Sequence, residues 1–410
     1  MNNESVYELI RFAIYDAKPQ LADDINEVYG ELAAHGIASL MSDVLSELPL
    51  DETLKKKWVA HIVRQAYIYM FIINEQEKLM HLMDESNIPF IILKGAAAAK
   101  YYPNPINRSM GDIDLLVKPE QFDVACELFN KSGYKLLNDI TPYERHARYE
   151  KNGIVYELHR FFASMNDVQA AQALDSALIK GIDNRNIYEL DGKKFPVLPD
   201  FENGLVLLQH VNQHLENGLG LRQIIDWMMY VEAYLDDEAW QKFGSVAEKI
   251  GLKKLAETLT LMCRKYLGMK ADITWCNDAD EALCDTLMDY IMQHSKLRKV
   301  QVGDNNHTIG ILSKRRSVAQ WFKFLQHNGM VHWKLAKYPV FRPFAWLYQI
   351  IRYLGKGIAR KQSFSSLKYE FKESRRRTEL FEALGVKCLS KGLTFRDGDR
   401  FIIRKQDFKH

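Results

Sequence analysis

Between Leu93 and Lys118 the chain reads LKGAAAAKYYPNPINRSMGDIDLLVK, which sets Asp112 and Asp114 one residue apart in an apolar run. Side chains alternate faces along a strand, so the two carboxylates share a face while Ile113 and Leu115 turn to the core. Ionised carboxylates held side by side raise each other's proton affinity and require a cation between them. Hard oxygen donors of this kind suit magnesium, which keeps several waters and joins carboxylates to phosphate oxygens. A second ion needs a third carboxylate, and Glu157 in GIVYELHR supplies it, with Tyr156 and Leu158 facing the other way. Upstream, IPFIILKG halts at Gly95 and AAAAKYY follows, so a strand turns directly into a helix start. Free N–H groups at such a turn receive phosphate, and Lys94 adds a cation.

Plainer readings stand beside these. Asp112 and Asp114 could instead form a solvated strand face, though the apolar strand and the upstream turn favour the site, and Glu157 could be a surface residue paired with Arg148 or Arg160. Arg108 either neutralises substrate phosphate or fixes its loop by bonding Asp112, and Lys94 is either a phosphate ligand or a solvated strand end. His159 shares the face of Glu157 as a supporting or plain polar group. His210 and His214 stand four apart on a helix, but VNQ between them lacks the glutamate of a zinc-protease helix, so buried histidines are expected. Arg222 and Asp226 have the spacing of a helix ion pair.

The elements that must position these groups follow from periodicity. WVAHIVRQAYIYMFIINEQEKLMHLM repeats apolar residues at three- and four-residue steps and ends in DESN, the pattern of one long helix. Strands are expected at IPFIILKG, DIDLLVK and GYKLL, with a helix from Pro119 to about Lys131. Asn152-Gly153 between alternating runs marks a hairpin, and Asp191-Gly192 a weaker one. After Pro199 the pattern is helical again. The expected fold is α+β and helix-rich, a small mixed sheet flanked by helical segments. Its expected divisions are an N-terminal helical region over 1–86, a core over 87–199, a helical domain over 200–299 and a basic region over 300–410.

Composition narrows the class. With 47% hydrophobic and 26% charged residues over 410 positions, the chain is globular and long enough for two to four domains. The N-terminal stretch lacks a basic segment followed by an apolar core, and no apolar run approaches the length of a membrane span, so a cytoplasmic protein is expected. Five scattered cysteines without a CxxC pair exclude a zinc knuckle and a disulfide framework. From Val300 onward 23 Lys and Arg face 8 Asp and Glu, a balance of +15, which leaves −13 for the preceding residues. Acidic and basic parts should therefore do different work. FAWLYQIIRYLGKGIARK has the makeup of a basic amphipathic helix for a membrane surface, against the alternative of a helix packed on the protein itself. No RNA- or DNA-reading motif accompanies the basic residues, which argues against a nucleic-acid partner.

Gly95, then Asp112-Ile113-Asp114, then Glu157 resembles the superfamily of nucleotidyltransferases that includes polymerase beta. The fuller pattern is Leu93-Lys94-Gly95, Arg108, Gly111 to Val117 and Glu157-Leu158-His159. It is similar to an uncharacterised bacterial nucleotidyltransferase family often found among polysaccharide biosynthesis genes. The resemblance extends over roughly residues 60–240. It implies attack by an acceptor hydroxyl on the α-phosphate of a nucleoside triphosphate, with release of pyrophosphate. Asp112, Asp114 and Glu157 would be catalytic and would hold two Mg2+ ions, while Lys94, Gly95, Ala96, Arg108, His159 and Arg222 would bind the nucleotide. The acceptor is open among a sugar, a small molecule and a protein. Ala96 stands where the superfamily usually has serine, which leaves phosphate to backbone N–H groups and Lys94 and keeps a non-catalytic nucleotide-binding or scaffold protein as the alternative.

Overall fold

The structure is a computed structural model and describes residues 3–138, 140, 145–164, 167–294, 322, 325–326, 328–330, 332–359, 375–386, 394–397 and 400–403. The chain divides into two units, residues 1–303 with 383–387 and 391–410, and residues 304–382 with 388–390.

In the first unit, α1 (Glu4–Tyr15), α2 (Ile25–Ala34) and a 3-10 turn over Ala38–Asp43 precede α3 (Glu52–Glu85), the long helix that the periodicity predicts. Asp51 starts α3 by accepting the Leu54 N–H at 2.7 Å, which satisfies one of the donors that every helix leaves open at its start. The far half of α3 buries Tyr69, Ile72, Ile73, Leu79 and Met83 in the same core as the sheet.

That sheet has seven strands: β1 (Phe90–Leu93), β2 (Ile113–Val117), β3 (Lys135–Leu136), β4 (His146–Lys151), β5 (Ile154–His159), β6 (Asn186–Leu190) and β7 (Lys193–Val197). Their order is β3-β4-β5-β2-β1-β7-β6. β2 lies antiparallel to β1 and parallel to β5, and β1 lies parallel to β7, so the sheet is mixed as expected. Every residue of β1 and β2 is buried, which explains their unbroken apolar runs. Both expected hairpins form. Asn152 and Gly153 have φ of 56° and 80°, and Asp191 and Gly192 have 51° and 73°, the left-handed pair that two-residue hairpin turns need.

Helices cover the sheet. α4 (Gly95–Ala99) is a single short turn, and α5 (Phe122–Lys131) follows a 3-10 turn at Pro119–Gln121. Ala96, Ala97, Ala98 and Ala99 are all fully buried, so α4 is packed into the core. After α6 (Val168–Asp183) come α7 (Asp200–Asn217), α8 (Leu221–Tyr234), α9 (Asp237–Lys249), α10 (Lys253–Leu267) and α11 (Glu281–Gln293). α8 is buried at Leu221 and again along its whole run from Gln223 to Val231, which makes it the central rod of the helical part. A short hairpin, Thr394–Asp397 with Arg400–Ile403, also belongs to this unit.

In the second unit, 3-10 turns at Lys334–Lys337 and Pro339–Phe344 lead into a helix over Ala345–Ala359. The helix expected near Phe341 thus starts after Pro343, whose ring cannot continue a helix from the preceding turn. No described helix is long and apolar enough to cross a membrane.

Candidate active site

The candidate residues meet at one end of β1, β2 and β5. Register brings them there: Leu93 pairs with Asp114, and Asp114 with Glu157, so the two acids stand on adjacent parallel strands. Asp112 lies one residue before β2 and is exposed, while Asp114 keeps only 3% of its surface. One oxygen each from Asp112, Asp114 and Glu157 lies within 4.8 Å of the others. The adjacent charge of Asp114 is the main cause that raises the proton affinity of Asp112. Burial pushes the same way on Asp114, but Lys94 and His159 outweigh it and hold that carboxyl well below the usual range. Burial pushes Glu157 up as well, but the nearby imidazoles of His159 and His146 outweigh it and lower its proton affinity.

Lys94 turns its ammonium into this cluster, with Nζ 2.8 Å from Asp114 Oδ1. Burial disfavours its charge, yet Asp114 and Asp112 more than compensate and raise its proton affinity. Its backbone has φ 52°, and Gly95 next to it has φ 37°. Two successive left-handed residues are what turns β1 into α4 within one step, and a non-glycine in that region costs about 1–3 kcal/mol. The Ala96 side chain belongs to the core beneath the turn, so the turn presents backbone, not a hydroxyl, to the site.

Glu157 also faces Arg148 across the hairpin, with Arg148 Nε 3.4 Å from Oε1. The surface pairing and the membership in the acid trio hold together. His159 is 3% exposed, with Nε2 3.1 Å from Asp114 Oδ1 and 3.6 Å from Glu157 Oε2, which puts it behind the acids.

Two expectations are corrected on the loop before β2. Arg108 does not hold the loop through Asp112; its Nε and Nη2 each lie 2.7 Å from one oxygen of Asp226. Both residues are buried, and the Tyr102 hydroxyl donates to the same carboxylate at 2.8 Å. With both Asp226 oxygens taken, the expected Arg222–Asp226 pair is absent among the described ion pairs, and Arg222 Nη1 reaches only the Ser109 carbonyl at 3.4 Å. Burial, and then Arg108, lower the proton affinity of Arg222, while Asp226 and Asp112 pull the other way. Such a guanidinium is under-used by the protein and has donors to spare for an anion. From the other side, Ser109 Oγ donates to the Gly36 carbonyl, Ser39 Oγ to the Asn107 carbonyl and Asn107 Nδ2 to Asp43. The loop that carries Gly111 and Asp112 is thus clamped between α8 and the N-terminal turns.

His210 and His214 face each other with ring centroids 4.6 Å apart, and burial drives His210 well below the ordinary imidazole range. Neither joins a group of possible metal donors among the described residues. The sequence reading missed Tyr102 and the role of Asp226, which no local spacing reveals. It also missed His146, although counting outward from the Asn152-Gly153 turn places His146 opposite His159, as the ladder has it.

Residues 22–268 match a family described as uncharacterised nucleotidyltransferase. No curated protein matches the chain. Among solved structures, the antibiotic-resistance factor ANT(2'')-Ia is similar at 12% identity and a TM-score of 0.33, over 44% of this chain and 92% of that one. An antigenic nucleotidyltransferase-like protein from Paracoccidioides brasiliensis is similar at 16% identity and a TM-score of 0.30, over 48% of this chain and 92% of that one. On the match across most of its length, the chain belongs to the uncharacterised nucleotidyltransferase family.

Proposed function

We propose that the protein transfers a nucleoside monophosphate from a nucleoside triphosphate to an acceptor hydroxyl, with magnesium, and releases pyrophosphate. The observation that carries this reading is the convergence of Asp112, Asp114 and Glu157 to within 4.8 Å, opposed at the site's base by the ammonium of Lys94. An all-oxygen set with surplus negative charge fits hard divalent ions. Asp112, Asp114 and Glu157 would hold two Mg2+ ions, whose charge would offset that of the phosphate oxygens.

The remaining roles fall to the chain itself. Arg222, with donors to spare, takes the phosphate oxygens that enter beside Asp112. The N–H groups of the Gly95-Ala96 turn and Lys94 take the inner end of the triphosphate. Arg108 is a positioning residue, since its Nε and Nη2 are engaged by the two oxygens of Asp226, and His159 orients Asp114 from behind. The core of this activity is the region 87–199, with 200–299 supplying α8 and a nucleoside triphosphate substrate fitting a cytoplasmic enzyme. A sugar acceptor, as in polysaccharide assembly, a small molecule or a protein each meets the requirement of a free hydroxyl.

The second unit adds a peripheral contact with an anionic bilayer. Val340, Phe344, Leu347 and Ile351 are exposed, and from His332 to Ala359 the sequence has five lysines and arginines and no acidic residue. Cosedimentation with anionic but not neutral vesicles is expected; equal behaviour with both removes this contact.

The test of the main reading is a thermal-shift series of nucleoside triphosphates with and without magnesium, followed by pyrophosphate release over an acceptor panel. Magnesium-dependent stabilisation and release that vanish in Asp112→Asn support transfer. Stabilisation without release from any acceptor favours the non-catalytic nucleotide-binding protein, and near-normal turnover in Asp112→Asn overturns the metal role.

A further inference from the structure

Behind the acid trio stands a second donor set of different chemistry. His146 on β4 lies directly opposite His159 on β5, and their ring centroids are 4.9 Å apart. One nitrogen of each ring and one oxygen of Glu157 lie within 4.8 Å of one another. In each histidine Nδ1 is buried without a hydrogen-bond partner, a state that costs about 1–3 kcal/mol per group when nothing compensates it. His159 is buried, whereas His146 is half-buried and leaves a way in from solvent.

We propose that His146, His159 and Glu157 form a binding site for a transition-metal dication of the zinc class, distinct from the all-oxygen magnesium set and joined to it through Glu157. Imidazole nitrogens favour zinc and its neighbours over magnesium, whereas Asp112 and Asp114 offer only oxygen. Two nitrogens and one oxygen are a three-ligand set that leaves a fourth position for water or a further ligand. Donors at about 2.0–2.2 Å from a tetrahedral ion stand about 3.4 Å apart, so the three side chains need move only about 1 Å inward. Glu157 pairs with half-exposed Arg148 at Oε1, 3.4 Å away, and faces His159 through Oε2, so one carboxylate serves both sets. Zinc-class ions bound here would draw Glu157 away from Asp112 and Asp114 and so lower the occupancy of the magnesium set.

The site is independent of whether the protein transfers nucleotides, and its test reads binding alone. Zinc is titrated calorimetrically into the full chain with magnesium in excess, for the wild type, Asp112→Asn and His146→Ala. The expected result is one zinc ion bound by the wild type and by Asp112→Asn alike. His146→Ala should weaken it by about tenfold or more, since loss of even an outer partner of a metal ligand costs about 10–100-fold. Should His146→Ala fail to fold, cobalt added to the wild type reads the same site: the four-coordinate geometry proposed gives intense visible ligand-field bands, shifted by imidazole nitrogen, that excess magnesium leaves in place. Zinc displaced by magnesium, zinc lost in Asp112→Asn but kept in folded His146→Ala, or cobalt bands absent or erased by magnesium overturns the proposal.

Discussion

Two buried ion pairs flank the loop from Asn104 to Asp112, and they are built differently. In one, the Arg108 fork meets both oxygens of Asp226 and the Tyr102 hydroxyl fills in beside it, so one positive charge meets one negative. In the other, Lys94 meets Asp114 through a single contact while Asp112 and Glu157 stand close by, so one ammonium faces three carboxylates. A matched pair has no net charge left to attract an ion and serves to hold structure in place. A mismatched one holds unspent charge, which is what a site for cations requires.

The comparison breaks most visibly at Asp226. Asp226→Ala leaves the Arg108 guanidinium buried and unpaired, and the expected loss is about 3–5 kcal/mol in urea unfolding. A loss below about 1 kcal/mol would show that the pair is not what fixes the loop. Lys94→Met acts on the mismatched side. It should cost about 1–3 kcal/mol in the absence of metal, because Asp114 keeps His159 as a partner. Added magnesium should then raise the melting temperature of the variant more than that of the wild type, since the ion enters the place the ammonium left. Equal shifts would mean that Lys94 and the ion occupy different places.

Asp112→Asn carries the smallest effect on stability and the opposite sign. The raised proton affinity of Asp112 means that its contribution to folding is present below the ordinary carboxylate range and is lost as pH rises through the raised value. At neutral pH in a chelator the ionised side chain therefore opposes folding, and asparagine should stabilise slightly, by no more than about a few tenths of a kcal/mol because the exposed charge is screened. The same variant should bind magnesium poorly. A variant that loses stability and keeps metal affinity would reverse the assignment of surplus charge.

How much of this was legible beforehand follows from the range of each interaction. Strand alternation put Asp112 and Asp114 on one face, and a two-residue turn put Glu157 on a facing strand; both are local rules and both describe the observed geometry. The parallel pairing of β2 with β5, and the joining of Arg108 to Asp226 across 118 positions, have no local signature. The near neighbour Arg222, four residues from Asp226, offered a plausible partner that the tertiary packing of α8 displaced. In the sequence Ala96 reads as a missing serine, whereas the structure buries its side chain in the core beneath the turn. Many of the basic residues after Val300, among them Lys314, Arg315, Arg316 and Arg360, lie outside the described residues.

The Arg108–Asp226 clasp also sets an order in time. All strands of the seven-stranded sheet lie between residues 90 and 197, so its hydrogen bonds can close as soon as that stretch is available. The partner that pins the loop arrives only with α8, and closing a contact of such sequence separation is slow relative to hairpin formation. In pulsed hydrogen exchange during refolding, the amides of β4 and β5 should be protected before those of residues 104–109. A nascent chain that has not yet delivered α8 would thus carry the acids on a formed sheet while the loop beside them still moves freely.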